Sequence, residues 1–106
     1  MKPDAARGQL EPLLLAVLAD GPRHGYAIID ALRLRSGGRF TMPEGTVYPA
    51  LHRLEAAGAV VSEWLPGARQ RRVYHLTGAG QAALAAARSE WRQFALAMGS
   101  VLGATI

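Results

Sequence analysis

A short segment near the middle of the chain, EGTVYPALHRLEAAG, carries side chains whose types suit contacts with a nucleic acid. They lie between apolar residues at helical spacing, which would place them on the outward side of one helix: Thr46, Tyr48, His52 and Arg53. Hydroxyls such as those of Thr46 and Tyr48 donate to phosphate oxygens, and arginine is the usual partner of guanine. The alternatives are helix capping by Thr46, packing of Tyr48 on a neighbouring hairpin and an ordinary solvated face.

Three arginines further along the chain form a second basic group: Arg69, Arg71 and Arg72. No acidic residue occurs between Trp64 and Ser89, so this stretch is positively charged. A local excess of this kind attracts phosphate, and arginines at a hairpin tip can bind the DNA backbone or enter the minor groove. A charged tip that only prevents edge pairing of strands is the alternative.

Length and composition limit the possible classes of protein. The chain has 106 residues, with 12 Lys and Arg against 8 Asp and Glu for a net charge of +4, and its length suits one domain with a modest core. No apolar run approaches the roughly 18 residues that span a membrane, and the N-terminus lacks the pattern of a secretory signal. We therefore expect a cytoplasmic protein that has no membrane partner.

The residue types that catalysis or metal binding requires do not cluster. The chain has no cysteine, and its three histidines are scattered. No acidic pair flanks a candidate nucleophile, and no glycine-rich phosphate loop follows a strand. We expect neither an enzyme nor a site for a cofactor or metal.

Apolar periodicity predicts two helices before the quoted segment. The first has an apolar stripe and ends at the turn signal DGP at 20–22: Leu10, Leu13, Leu14, Val17 and Leu18. The second covers 24–35, and the sequence Ser-Gly-Gly that follows it should end it. His24 and Tyr26, at its start, are more typical of caps or core residues than of phosphate ligands.

The quoted segment is predicted to be a third helix that contains a proline. It should open with a capping box formed by Thr41 and Glu44, or begin at Thr46, and it should end at Gly58. Either start makes Pro49 a marker of the beginning of the helix, because a proline costs little where amide donors have no helical partner.

A β-hairpin and a long helix complete the chain. AVVSEWL and RRVYHLT are rich in β-branched and aromatic residues and flank the loop PGARQ, which predicts two strands with an arginine-rich tip. From Thr77 toward Leu102, apolar residues repeat at alternating spacings of three and four, as in a heptad seam: Leu84, Ala87, Trp91, Phe94, Met98 and Val101. The fold class is therefore mainly α with a small β-hairpin. Its order of elements is that of a winged helix-turn-helix, in which the third helix enters the major groove.

Four motifs together resemble the PadR-like transcriptional regulators: HGYAI at 24–28, GTVYPALHRLEAAGAV at 45–60, RRVYHLTGAG at 71–80 and the late Trp91. The resemblance implies a winged helix-turn-helix DNA-binding domain at 9–77 and a C-terminal dimerisation helix at 78–106, after a flexible segment at 1–8. It also implies a repressor that a small effector releases from DNA. The match of Tyr48 to the tyrosine of the G-T-x-Y-P motif implies a role at the DNA backbone.

The last helix needs a partner, because so small a domain leaves little core to cover its seam. We expect a second copy to cover it, with the first helix joining the interface through Leu10, Leu13 and Leu14 beside Leu84, Trp91, Phe94, Met98 and Val101. A two-fold dimer would hold its recognition helices about 34 Å apart and would bind a palindromic operator. As in some members of the family, two Trp91 indoles could bound a pocket for an aromatic or multi-ring effector; plain interface packing is the alternative.

Two rival functions belong to other classes of protein. One is a winged-helix module whose arginines face an acidic protein partner, and the other is a small-molecule sensor that prefers no operator. The pairing of the GTVYP helix with the arginines at 69–72 favours a DNA-binding regulator over both.

Overall fold

In the residues that the structure describes, four helices alternate with the strands of a small antiparallel sheet. The computed structural model describes residues 8–67 and 71–103, so the segment predicted at 1–8 lies almost entirely outside the described residues. The elements are α1 (Leu10–Ala19), β1 (Arg23–His24), α2 (Gly25–Arg35), α3 (Glu44–Ala56), β2 (Val60–Leu65), β3 (Arg71–Leu76) and α4 (Gly78–Leu102). This confirms the predicted fold class and adds one strand to it.

The added strand, β1, pairs with β3 and gives the sheet the order β1-β3-β2. Arg23 lies opposite Tyr74, and His24 lies opposite Val73. A strand of two residues has no periodicity of its own, so the sequence pattern could not reveal it. His24 is also the N-cap of α2, where its side chain accepts a hydrogen bond from the Ala27 amide at 3.4 Å. This confirms the expectation that His24 is a capping residue.

Strands β2 and β3 form the predicted hairpin. They pair antiparallel from Val60 opposite Leu76 to Leu65 opposite Arg71. Side chains alternate between the two faces of a strand, so Val60 and Tyr74 face the core, where both are buried.

The core joins the first three helices to the sheet and to the beginning of α4. Its large side chains are Leu10, Leu14, Leu15, Val17, Leu18, Ile28, Leu32, Met42, Val47, Leu51, Leu54, Val60, Tyr74 and Leu84. Full burial of one such side chain contributes about 1.5–3 kcal/mol, so this cluster is the main source of stability. From α4 this cluster includes Leu84, and most of the residues of that helix after Leu84 are exposed.

Helix α3 begins at Glu44, and its N-cap is Pro43. Both predictions about this start were wrong. Thr41 does not cap the helix, because its hydroxyl donates to a loop carbonyl at 3.4 Å. Pro49 lies inside the helix, in its second turn. The Gly45 carbonyl therefore has no amide donor at position 49, but Pro49 is on the exposed face, where water can replace that donor.

Helix α3 ends as predicted at Gly58, in a Schellman motif. The Gly58 amide donates to the Glu55 carbonyl at 3.0 Å, and the Ala59 amide donates to the Leu54 carbonyl at 2.9 Å. Gly58 has a φ of 78°, a conformation that glycine adopts without steric cost. The turn leads directly into β2.

Thr77 joins the beginning of α4 to this turn. Its hydroxyl accepts a hydrogen bond from the Gly80 amide at 3.0 Å and donates to the Gly58 carbonyl at 2.6 Å. The side chain is thus both the N-cap of α4 and a link to the end of α3.

Among the described residues, no helix combines the length and apolar character that crossing a membrane would require.

Candidate nucleic-acid interface

Helix α3 has one buried apolar face and one polar face toward solvent. The buried residues are Val47, Ala50, Leu51 and Leu54. His52 and Arg53 are exposed on the other side, and Thr46 is partly exposed. This orientation follows from the helical spacing, as predicted.

The Thr46 hydroxyl does not cap α3, which has no side-chain cap hydrogen bond. The Pro43 carbonyl instead accepts hydrogen bonds from the Thr46 and Val47 amides at 3.0 and 3.1 Å. The capping alternative for Thr46 is therefore removed. Its side chain lies in the first turn, where the helix dipole favours an anionic ligand.

Tyr48 is partly buried and packs against the core cluster. Its ring lies against Gly25 at the start of α2. Burial, and then the negative charge of Glu44, raise the pKa of the Tyr48 phenol. The hydroxyl is therefore protonated at neutral pH and can donate to a phosphate oxygen.

A second tyrosine, Tyr26, stands at the same junction. A hydrogen bond to Glu44 and the charge of that carboxylate raise the pKa of Tyr26, and its ring is exposed. The prediction that Tyr26 is a core or cap residue is wrong, because its ring is exposed and the N-cap of α2 is His24. Only the meeting of α2 with the first turn of α3 places it beside the polar face.

The exposed arginines of α2 and α3 are paired with carboxylates. Arg53 Nε lies 3.8 Å from Glu11 Oε1, and Arg35 Nη1 lies 2.8 Å from Asp20 Oδ2. Exposed pairs of this kind contribute only about 0–1 kcal/mol, so Arg53 can exchange Glu11 for a base or phosphate at little cost.

Within 8–67 and 71–103, no group of three or more His, Cys, Asp or Glu residues could hold a metal ion.

The predicted wing arginines differ in their surroundings. Arg71 is exposed, and no carboxylate of the described residues lies within 4.0 Å of it. Arg72 instead contacts Ser62 and Glu55 within the chain. Arg69 lies outside the described residues.

Helix α4 carries an exposed apolar stripe that includes four of the eight predicted interface residues. Trp91, Phe94, Met98 and Val101 are between 44% and 86% exposed. The Trp91 and Phe94 rings lie 5.7 Å apart at an angle of 39°. Leu102 is also exposed and follows Met98 by four residues, so it shares this face. The same spacing rule would have found Leu102 in the sequence.

Three predicted interface residues lie inside the domain: Leu10, Leu14 and Leu84 are at most 4% exposed. Their side chains belong to the core of this chain and offer almost no surface to another copy. Their assignment to the interface is therefore corrected. Leu13 is only partly buried and lies at the edge of the core.

A cavity of about 750 Å³ lies between α1 and α4. Its apolar wall includes Leu13, Phe40, Trp91 and Phe94, and its lining also contains Arg88, Glu90 and Arg92. The residues of the stripe thus also form one side of a cavity large enough for a small organic molecule.

The elements together define a winged helix-turn-helix, a class of DNA-binding protein. Helices α2 and α3 form the helix-turn-helix, α3 is in the position of the recognition helix, and the β2–β3 hairpin is the wing.

Comparison with known proteins gives the family. Residues 14–86 match the sequence profile described as "Transcriptional regulator PadR-like family". Transcriptional regulator Rv3488 of Mycobacterium tuberculosis is 49% identical over 67 residues, which cover 62% of this chain and 60% of that protein. The chain belongs to the PadR-like family, whose members are transcriptional regulators and not enzymes.

Solved structures share the whole fold. A transcriptional regulator from Clostridium thermocellum superposes with a TM-score of 0.86 at 25% identity, over 94% of this chain and 96% of the other. A PadR family regulator from Eggerthella lenta gives a TM-score of 0.83 at 30% identity, over 93% of this chain and 86% of the other. The likeness therefore includes the long final helix as well as the winged domain.

Proposed function

We propose that the chain acts as a homodimeric repressor that binds a palindromic operator and is released by a small aromatic or multi-ring effector. The observation that carries the proposal is the exposed stripe of Trp91, Phe94, Met98 and Val101 on α4. A contiguous apolar surface on a water-exposed helix marks an interaction site. A heptad seam is specifically suited to another helix of the same kind.

The DNA contacts would come from α3 and the wing. His52 and Arg53 would face base edges, while Thr46 and Tyr48 would donate to backbone phosphates beside the groove. Arg71 supports a wing contact because it is exposed at the start of β3. Arg69, two residues earlier in the sequence, is proposed to act with it.

The dimer would form through the stripe on α4. Leu13 at the edge of α1 would lie beside the seam, since α1 packs against α4 within the chain. Two-fold symmetry would place the recognition helices of the two copies about 34 Å apart, as a palindromic operator requires.

The effector would bind where the stripe and the cavity meet. Trp91 and Phe94 line the cavity between α1 and α4, so a second copy on the stripe would bring its own aromatic rings close to this space. A flat apolar compound held there could alter the spacing of the two recognition helices. A coupling of about 1–3 kcal/mol would lower DNA affinity by about 5- to 150-fold.

The test is a fluorescence-anisotropy titration of the purified protein against the DNA upstream of its own gene, with excess scrambled duplex, at two salt concentrations. Tight binding that survives the competitor would support the proposed regulator. Because phosphate contacts release counterions, affinity should fall steeply with salt for specific and scrambled DNA alike.

The rival functions give different results in the same experiment. A module for an acidic protein partner, or a sensor without a preferred operator, would lose all retention on DNA when the competitor is added. A sensor would still bind aromatic compounds, which quenching of Trp91 fluorescence would detect.

A further inference from the structure

Glu55, Ser62 and Arg72 form a closed set of polar contacts between α3 and the hairpin, here called the clamp. Ser62 Oγ donates to Glu55 Oε2 at 2.6 Å and accepts a hydrogen bond from Arg72 Nε at 2.7 Å. Arg72 Nη2 lies 3.6 Å from Glu55 Oε1. The three side chains come from α3, β2 and β3, so the clamp ties the last turn of the recognition helix to both strands of the wing.

Trp64 contacts the guanidinium group of the clamp. It lies opposite Arg72 in the hairpin register, and the guanidinium carbon of Arg72 is 5.5 Å from the centroid of its ring. A guanidinium at this distance from an indole is attracted by the electrons of the ring. Arg72 therefore has a hydroxyl, a carboxylate and an aromatic ring as partners within the chain.

The core does not hold the outer half of the hairpin. In β2 the only buried residue is Val60, and in β3 it is Tyr74. Tyr74 lies opposite Ser62, and the three strand pairs beyond this one toward the tip have no buried side chain. Among the described residues, the polar contacts of the clamp tie this half of the wing to α3, and the pairing of Val73 with His24 ties it to β1.

The charge of Arg72 is already balanced by Glu55. A guanidinium paired with a carboxylate releases few counterions from DNA, and a phosphate that approached it would also meet the negative charge of Glu55. The two side chains are 38% and 29% exposed, against 60% and 44% for Arg53 and Glu11. The clamp is thus more sheltered than the pair that we expect to open on DNA.

We propose that Arg72 is a positioning residue that fixes the angle of the wing relative to the recognition helix, through Ser62 and Glu55, and is not itself a phosphate ligand. This rests on the proposed function, because the surface that it positions is the one proposed to bind DNA. It divides the arginines of the wing into two roles: Arg71 contacts DNA, and Arg72 holds the hairpin that carries it.

The test compares substitutions that keep the charge with one that removes it. Ser62→Ala changes no charge, and Arg72→Lys keeps the charge but loses the Nε donor. Each should weaken operator binding by about 2- to 10-fold, the range for loss of one hydrogen bond. The slope of log affinity against log salt should stay at the wild-type value in both variants and in Arg72→Gln.

Arg71 supplies the matched control. Arg71→Lys should keep most of the affinity, whereas Arg71→Gln should lower the magnitude of the salt slope by about 0.9, the value for one lost phosphate contact. The proposal is overturned if Arg72 follows the same pattern, with Lys tolerated and Gln lowering the slope. It is also overturned if Ser62→Ala binds the operator as tightly as the wild type.

A measurement without DNA separates this inference from the proposed function. The indole resonance of Trp64, assigned by its loss in Trp64→Phe, should shift in Ser62→Ala, and amide exchange in β3 near Arg72 should become faster. Trp91 should give an unchanged resonance. An unchanged Trp64 resonance with unchanged exchange overturns the clamp, even where the wild type binds its operator. Wild-type protein that ignores its operator overturns the proposed function, while these spectra still decide whether the clamp holds the wing.

Discussion

The ring of Tyr48 on α3 lies directly against the backbone of Gly25, the first residue of α2. A β-carbon at position 25 would overlap the phenol. The motifs HGYAI and GTVYP, which are separate in the sequence, thus meet at one contact. This contact places the Tyr48 hydroxyl beside the N-terminus of α2.

Replacing Tyr48 by Phe should weaken operator binding and leave thermal stability nearly unchanged. The ring and its packing against Gly25 remain, and only the hydroxyl proposed to reach a phosphate is lost, at a cost of about 0.5–1.5 kcal/mol in binding. Anisotropy titration and a thermal melt followed by circular dichroism measure the two effects. A large fall in melting temperature with unchanged DNA affinity would show that the hydroxyl serves the fold instead.

Replacing Gly25 by Ala should destabilise the protein by about 1–3 kcal/mol, because the added methyl group would force the Tyr48 ring out of its place. Urea unfolding measures this change. The matched control is Gly45→Ala, also in the first turn of a helix, where an added β-carbon meets nothing within 4 Å. That substitution should be neutral or stabilise the helix by up to about 1 kcal/mol. Equal effects at both positions would contradict the role assigned to the contact.

Local signals in the sequence were sufficient for the order of the elements. The apolar stripe of α1, the glycine turn at Gly58 and the capping threonine Thr77 each act through neighbours a few residues away. The two-residue strand β1 could not be predicted, because it exists only through pairing with Tyr74 and Val73 some fifty residues later. The start of α3 was misplaced because the pattern of Thr41 and Glu44 fits a capping box that the loop geometry does not form.

The residue types of the candidate site could be predicted from the sequence, but the residues that they contact within the chain were harder to predict. Helical spacing is enough to place His52 and Arg53 on the outer face of α3. The inward position of Arg72 depends on Glu55 and Ser62, which reach it only after the hairpin has packed on α3. Burial of Leu10 was missed for a related reason: an apolar stripe shows which residues are covered, but not whether the same chain or a second copy covers them.

Stability should decline at alkaline pH. The pKa values of Tyr48 and Tyr74 are raised chiefly by burial, and that of Tyr26 chiefly by its hydrogen bond to Glu44. The folded protein therefore holds these protons more tightly than the unfolded chain, whose tyrosines titrate near 10.0. The resulting stabilisation is complete below about pH 10 and is lost as pH rises through the folded-state pKa values.

Urea unfolding between about pH 8 and pH 11 tests this decline. The variant Tyr74→Phe has no phenol at the most buried of the three positions, so its stability should fall less steeply over the same range. A wild-type stability that stays constant or rises above pH 10 would contradict the assignment.

Replacing Trp91 by Ala should shift the protein from dimer toward monomer. Trp91 is the first residue of the exposed stripe and contacts Phe94, and loss of a fully buried indole at an interface would cost about 3–5 kcal/mol. Within the chain the same side chain is 53% exposed, so the folded domain should lose much less stability than the dimer. Light scattering at micromolar concentration measures the mass, and circular dichroism measures the fold.

Leu96→Ala is the control, because Leu96 is 66% exposed on the opposite side of α4 and should leave the mass unchanged. If Trp91→Ala keeps the mass of the wild type, α4 does not join the two copies, and the spacing of about 34 Å between recognition helices would need another interface.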